Sequence, residues 1–127
     1  DMAIMGFDGS QYVCYIYRQS SSYNFTLVSD LSFQAINSTY VGSVQWGDYD
    51  LDGDLDLLTT SNYGTFVFEN NFGNFSNTLV TLPATQGGEA RFGDIEFDGD
   101  LDILTTSGIY KNIAGKLNNP PKKLSTK

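Results

Sequence analysis

The chain has 127 residues, 40% of them hydrophobic and 14% aromatic, enough for one ordinary core and unlike the composition of a disordered segment. It carries no histidine and a single cysteine, Cys14, so it cannot by itself build a Ser-His-Asp or Cys-His pair, a His-ligated zinc site or an internal disulfide. The net charge of −8 opposes nucleic acid and anionic membranes, and no apolar run approaches the ~20 residues of a membrane helix.

Short segments rich in Val, Ile, Leu, Phe, Tyr and Thr, separated by clusters of Gly, Asn, Asp and Ser, predict strands throughout. The first three fall near 1–6, 12–18 and 24–29. Cys14 lies in the apolar run Tyr12–Tyr17 and reads as a small buried hydrophobe. Four more strands are expected near 42–47, 55–60, 64–69 and 75–82, and three near 88–93, 101–106 and 108–112. No segment of helical length shows helical periodicity with caps. From Asn118 onward, two prolines and three lysines mark a linker or tail.

The strands repeat. GSVQWGDYDLDGDLDLLTTS from Gly42 matches GEARFGDIEFDGDLDILTTS from Gly88, and the opening DMAIMGF matches the strand that begins at Asp56. Asp1 then stands where Asp56 and Asp102 stand, as the last acid of a third loop whose earlier part is expected upstream. Four short strands per ~45–55 residues is the size of one propeller blade. The expected fold is all-β: an incomplete β-propeller fragment of about two and a half blades of antiparallel strands. Residues 1–41 hold the C-terminal part of one blade and a connection, and 42–87 a complete blade. Residues 88–116 begin a further blade, and 117–127 form the tail.

The acidity is local. Asp48, Asp50, Asp52, Asp54 and Asp56 share one nine-residue window, and Asp94, Glu96, Asp98, Asp100 and Asp102 share another; the rest of the chain carries a net charge of +2. Carboxylates at positions 1, 3, 5 and 9 of each window can converge on one ion, with the glycine at position 6 (Gly53, Gly99) making the sharp turn. Asp54, at position 7, would contribute its backbone carbonyl, and Asp100 occupies the same position in the second window. Calcium takes 6–8 hard oxygen ligands in flexible geometry, so an all-oxygen set favours it over zinc, copper or magnesium. Glu96 stands where a shorter acid is expected, which predicts weaker binding in the second loop. An EF-hand would need Glu at position 12, where Thr59 and Thr105 stand, and flanking helices.

The segments WGDYDLDGDLDLL and FGDIEFDGDLDIL resemble the FG-GAP/VCBS repeats of integrin α-subunit propellers and secreted microbial proteins. Thr59-Thr60-Ser61 and Thr105-Thr106-Ser107 replace the Gly-Ala-Pro part of the integrin version, so the resemblance is closer to the microbial VCBS kind. It implies a β-propeller with calcium held by Asp48, Asp50, Asp52, Asp56, Asp94, Glu96, Asp98 and Asp102, about two sites in all. The functional expectation is a calcium-binding scaffold or adhesion module of a secreted or cell-surface protein, without catalysis of its own. Its partners would be the rest of a larger propeller or other copies, and a protein or glycan ligand. The alternatives are a carbohydrate-binding propeller, with Tyr40, Trp46 and Tyr63 as stacking candidates, and an accessory domain of an extracellular enzyme. Sequons at Asn24, Asn37 and Asn74 permit N-glycosylation.

Overall fold

In the computed structural model, residues 1–32, 41–62, 64–82 and 89–117 are described. Their β-rich segments form three antiparallel sheets. The first contains β1 (Met2–Phe7), β2 (Tyr12–Ser21) and β3 (Asn24–Asp30), in that order. The second runs β4 (Val41–Gly47), β5 (Asp56–Ser61), β6 (Gly64–Asn71) and β7 (Asn74–Leu82). The third contains β8 (Arg91–Gly93), β9 (Asp102–Thr105) and β10 (Gly108–Tyr110), ordered β10-β9-β8. Each sheet is a meander of three or four strands, the size of a blade, and the chain is all-β in the manner of an incomplete propeller.

Three strands are shorter than the sequence suggests, β9 by one residue at each end. β8 covers only Arg91–Gly93, and Gly88 lies outside the described residues. β10 ends at Tyr110, whereas its counterpart β6 runs on to Asn71 where it pairs with β7; among the described residues no strand pairs with the outer edge of β10.

The middle sheet explains why its strands are apolar on both faces. β5 is buried along its whole length, and neighbours in it point to opposite sides. Leu57 and Phe68 join Cys14, Ile16 and Leu31 in a core shared with the first sheet. Leu58 and Val67 join Tyr49, Phe92, Ile103 and Tyr110 in a core shared with the third. Burying one such leucine contributes about 1.5–3 kcal/mol, so these cores hold the sheets face to face. β4 is the contact strand, lying against both β1 and β8. A methyl group on Gly47 would sit 2.6 Å from Phe92 Cδ2 and 2.8 Å from Leu101 Cδ1, so this glycine lets the second and third blades close together.

The ladders also fix an equivalence between blades. Met2 faces Tyr17, Leu57 faces Phe68 and Ile103 faces Tyr110. The next residues after those partners, Arg18, Glu69 and Lys111, therefore occupy one structural position in three successive blades.

Candidate metal centre

The acidic loops bridge β4 to β5 and β8 to β9, and they fold alike. Positions 4 and 6 are left-handed in both: Leu51 at φ 64° and Gly53 at 94°, Phe97 at 62° and Gly99 at 95°. No heavy atom lies within 4 Å of a Cβ placed on Gly53 or Gly99, so conformation, not space, demands glycine there. Leu51 and Phe97 take the same region with a side chain, at a cost of about 1–2 kcal/mol each. The sequence pattern gave no sign of those two.

In the first loop, Asp48, Asp50 and Asp56 each bring a carboxylate oxygen within 4.8 Å of the others. Asp56 is fully buried; its Oδ2 accepts the Tyr49 N–H at 2.7 Å and its Oδ1 the Asn70 N–H at 2.8 Å. Burial pushes its carboxyl up to about 6, while the two N–H groups pull it down and the Asp50 carboxylate adds to the rise. Asp48 Oδ2 accepts the Gly53 N–H at 3.2 Å, whereas Asp48 Oδ1 is buried without a hydrogen-bond partner. Glu69, across the hairpin, is also raised, first by burial and then by the Asp50 and Asp52 carboxylates.

Asp52 and Asp54 stand outside this group of three. Asp52 Oδ1 accepts the Asp54 N–H at 2.8 Å. Asp54 Oδ2 reaches over to the β6–β7 turn and accepts the Phe72 N–H at 2.9 Å. Asp100 does the same one blade on, accepting the Ala114 N–H at 2.7 Å. Phe72 and Ala114 are themselves left-handed, at φ 52° and 49°, so the side chain at position 7 caps a strained turn.

The second loop keeps the frame and differs in its acids. Asp94 has both oxygens occupied, Oδ1 by the Asp98 N–H and Oδ2 by the Gly99 N–H, each at 3.1 Å. Asp102, fully buried, accepts the Ile95 and Asn112 N–H groups at 3.0 and 2.9 Å. Glu96 is ion-paired with Lys111, whose ammonium also lies 3.7 Å from Asp98 Oδ2. Among the described residues, no three acids of this loop converge as those of the first do. Asp1 of the first blade faces a cation too, with Arg18 Nε 3.7 Å from its carboxylate.

The first loop fits a hard cation. Three converging carboxylates at an effective dielectric of ~20 repel by roughly 4 kcal/mol per pair at ~4 Å. A buried carboxylate oxygen with no donor is the lone pair a cation would take. Oxygen-only donors suit calcium, whose remaining ligands can be carbonyls and water. Of the stacking candidates, Tyr40 and Tyr63 lie outside the described residues, and Trp46 is partly buried with its ring 5.9 Å from that of Phe75.

No curated protein and no solved structure gives a significant match to the chain. A family model for the FG-GAP-like repeat matches residues 48–105, from the first acid of the first loop to the end of β9. Residues 48–105, which contain both acidic loops and the strands between them, belong to the FG-GAP-like repeat family.

Proposed function

We propose that the chain is a calcium-binding propeller module of a secreted or cell-surface protein, acting as a scaffold or adhesion unit. The observation that carries this reading is the convergence of Asp48, Asp50 and Asp56, one of which, Asp48, keeps a buried carboxylate oxygen with no protein donor. Loops of this kind fill at the millimolar calcium found outside cells, which supports an extracellular location. The Thr-Thr-Ser segments after each loop favour the microbial VCBS variety of the repeat. A closed propeller takes about 4–8 blades, so the module would meet further blades, in its own protein or in other copies.

The ion's task in this reading is structural: it neutralises the loop and holds the β4–β5 connection against the β6–β7 hairpin. Thermal unfolding in calcium, in magnesium and in chelator tests it. Calcium at about a hundred times its dissociation constant should add about 2.7 kcal/mol, and magnesium much less. An unfolding temperature unmoved by calcium would overturn the reading.

Trp46 supports a second reading, a glycan-binding propeller, because it lines a cavity with Asp1, Leu55 and Asn70, an aromatic face beside polar groups. Glycan-array binding that is lost in Trp46→Ala and kept in Phe75→Ala would favour it.

A further inference from the structure

We infer that Lys111 is the resident cation of the second acidic loop, so that this loop takes no metal ion, and that the residue at its position in each blade decides how that blade's loop is neutralised. This rests on the calcium reading of the first loop for its contrast, but not for the Lys111 contact itself.

Three observations converge. The hairpin register places Arg18, Glu69 and Lys111 at the same point of successive blades. In two blades that point carries a cation beside acids: Arg18 with Asp1, the counterpart of Asp56 and Asp102, and Lys111 with Glu96 and Asp98. In the middle blade it carries another acid, Glu69, and there a buried carboxylate oxygen is left without a donor.

The donor inventory of the second loop agrees. Both oxygens of Asp94 accept backbone N–H groups, where Asp48 leaves one without a donor, and Glu96 and Asp98 face the ammonium. Glu96, one methylene longer than aspartate, reaches outward to Lys111 instead of inward with Asp94. An ammonium is a compact point charge with three donors, suited to bridging two carboxylates. The first loop needs a cation from solution; the second brings its own.

Calorimetric calcium titration of the chain and two variants tests this. The unaltered chain should bind a single ion. Lys111→Met, which keeps the aliphatic stem, should bind a second, and Glu69→Lys should lose the first while remaining folded by circular dichroism. Two ions on the unaltered chain, or one ion on the unaltered chain with no gain in Lys111→Met, would overturn the proposal.

A companion measurement in chelator separates it from the calcium reading. There, Glu96→Gln should raise the unfolding temperature of the Lys111→Met variant by relieving unpaired acids, and should not raise that of the unaltered chain. If no variant binds calcium, the first loop's reading falls and this sign reversal alone decides: its presence supports the role of Lys111, and its absence overturns it.

Discussion

The two acidic loops share a nine-residue frame, the same two left-handed positions and the same pair of N–H groups on their last aspartate, yet they end in different electrostatic states. The first leaves an Asp48 oxygen buried and unpartnered; the second satisfies the corresponding Asp94 twice. Asp94 gains its second bond inside the loop, from the Asp98 N–H, and a further difference lies on the facing hairpin, where Lys111 stands in the place of Glu69. The nine residues alone single out Glu96, but they do not show the cation it faces. The charge that completes the loop comes from the residue just past β10, brought over by the register of the sheet.

The sharpest way to break this comparison is to neutralise the last aspartate of each loop. Asp56→Asn and Asp102→Asn each set an amide against two backbone N–H groups, and each should cost about 3 kcal/mol by urea denaturation. In Asp56→Asn the loss should depend on calcium; in Asp102→Asn it should be the same in chelator. Equal calcium dependence in both would erase the distinction between the loops.

The glycine before each loop gives the next largest effect. Gly47→Ala drives a methyl into Phe92 and should destabilise by about 1–3 kcal/mol. At Gly93 the nearest atom, Leu104 Cδ1, would lie 3.5 Å away, so Gly93→Ala should stay within about 0.5 kcal/mol of neutral. Thermal melts would check both.

A smaller difference is expected at the paired asparagines. The Asn70 amide donates to Leu55 O in its own loop at 3.1 Å, and the Asn112 amide to Tyr49 O in the neighbouring blade at 2.8 Å. Asn112 is fully buried, so Asn112→Ala should cost about 1–2 kcal/mol, and Asn70→Ala less. Hydrogen exchange should find the added opening at the boundary between the second and third blades only in Asn112→Ala.

The subtlest readout is the thiol. Cys14 is fully buried in the core shared by the first two sheets, and burial, helped by Asp30, pushes it up to about 12. Its reaction with a disulfide reagent should therefore stay slow from about pH 7 to 9, where an ordinary thiol accelerates. Chelating calcium should speed it modestly, by loosening the blade that covers it. A Cys14 that reacts at the rate of the unfolded chain would contradict the packing between the first two sheets.

Much of the fold was legible because strand alternation and turn residues are local signals. All ten segments expected to be strands contain one, and the glycines at position 6 take the expected left-handed turn. Asp48, Asp50 and Asp56 stood out by spacing, and spacing suffices when one short loop brings residues together. What stayed hidden depends on partners far along the chain. Asp54 and Asp100 were expected at the metal site, at the position that offers a backbone carbonyl, but their carboxylates cap turns 18 and 14 residues downstream. Glu96 looked like a crowded ligand, and only the β9–β10 register shows Lys111 beside it. Leu51 and Phe97 were unreadable for another reason, because nothing about a large apolar residue announces a positive φ.

Tyr49 has a mechanical consequence. Its N–H is held by Asp56 within its own blade, its C=O is held by Asn112 of the next, and its ring stacks on Phe92 of that next blade at 6.1 Å. A pull that separates these blades would load the backbone of one residue from both sides, with Asp56 as the anchor on its N–H and Asn112 on its C=O. Single-molecule stretching across this boundary should thus give a rupture force that rises with calcium, since the ion would stiffen the anchor, and the blades would part in one abrupt step at residue 49.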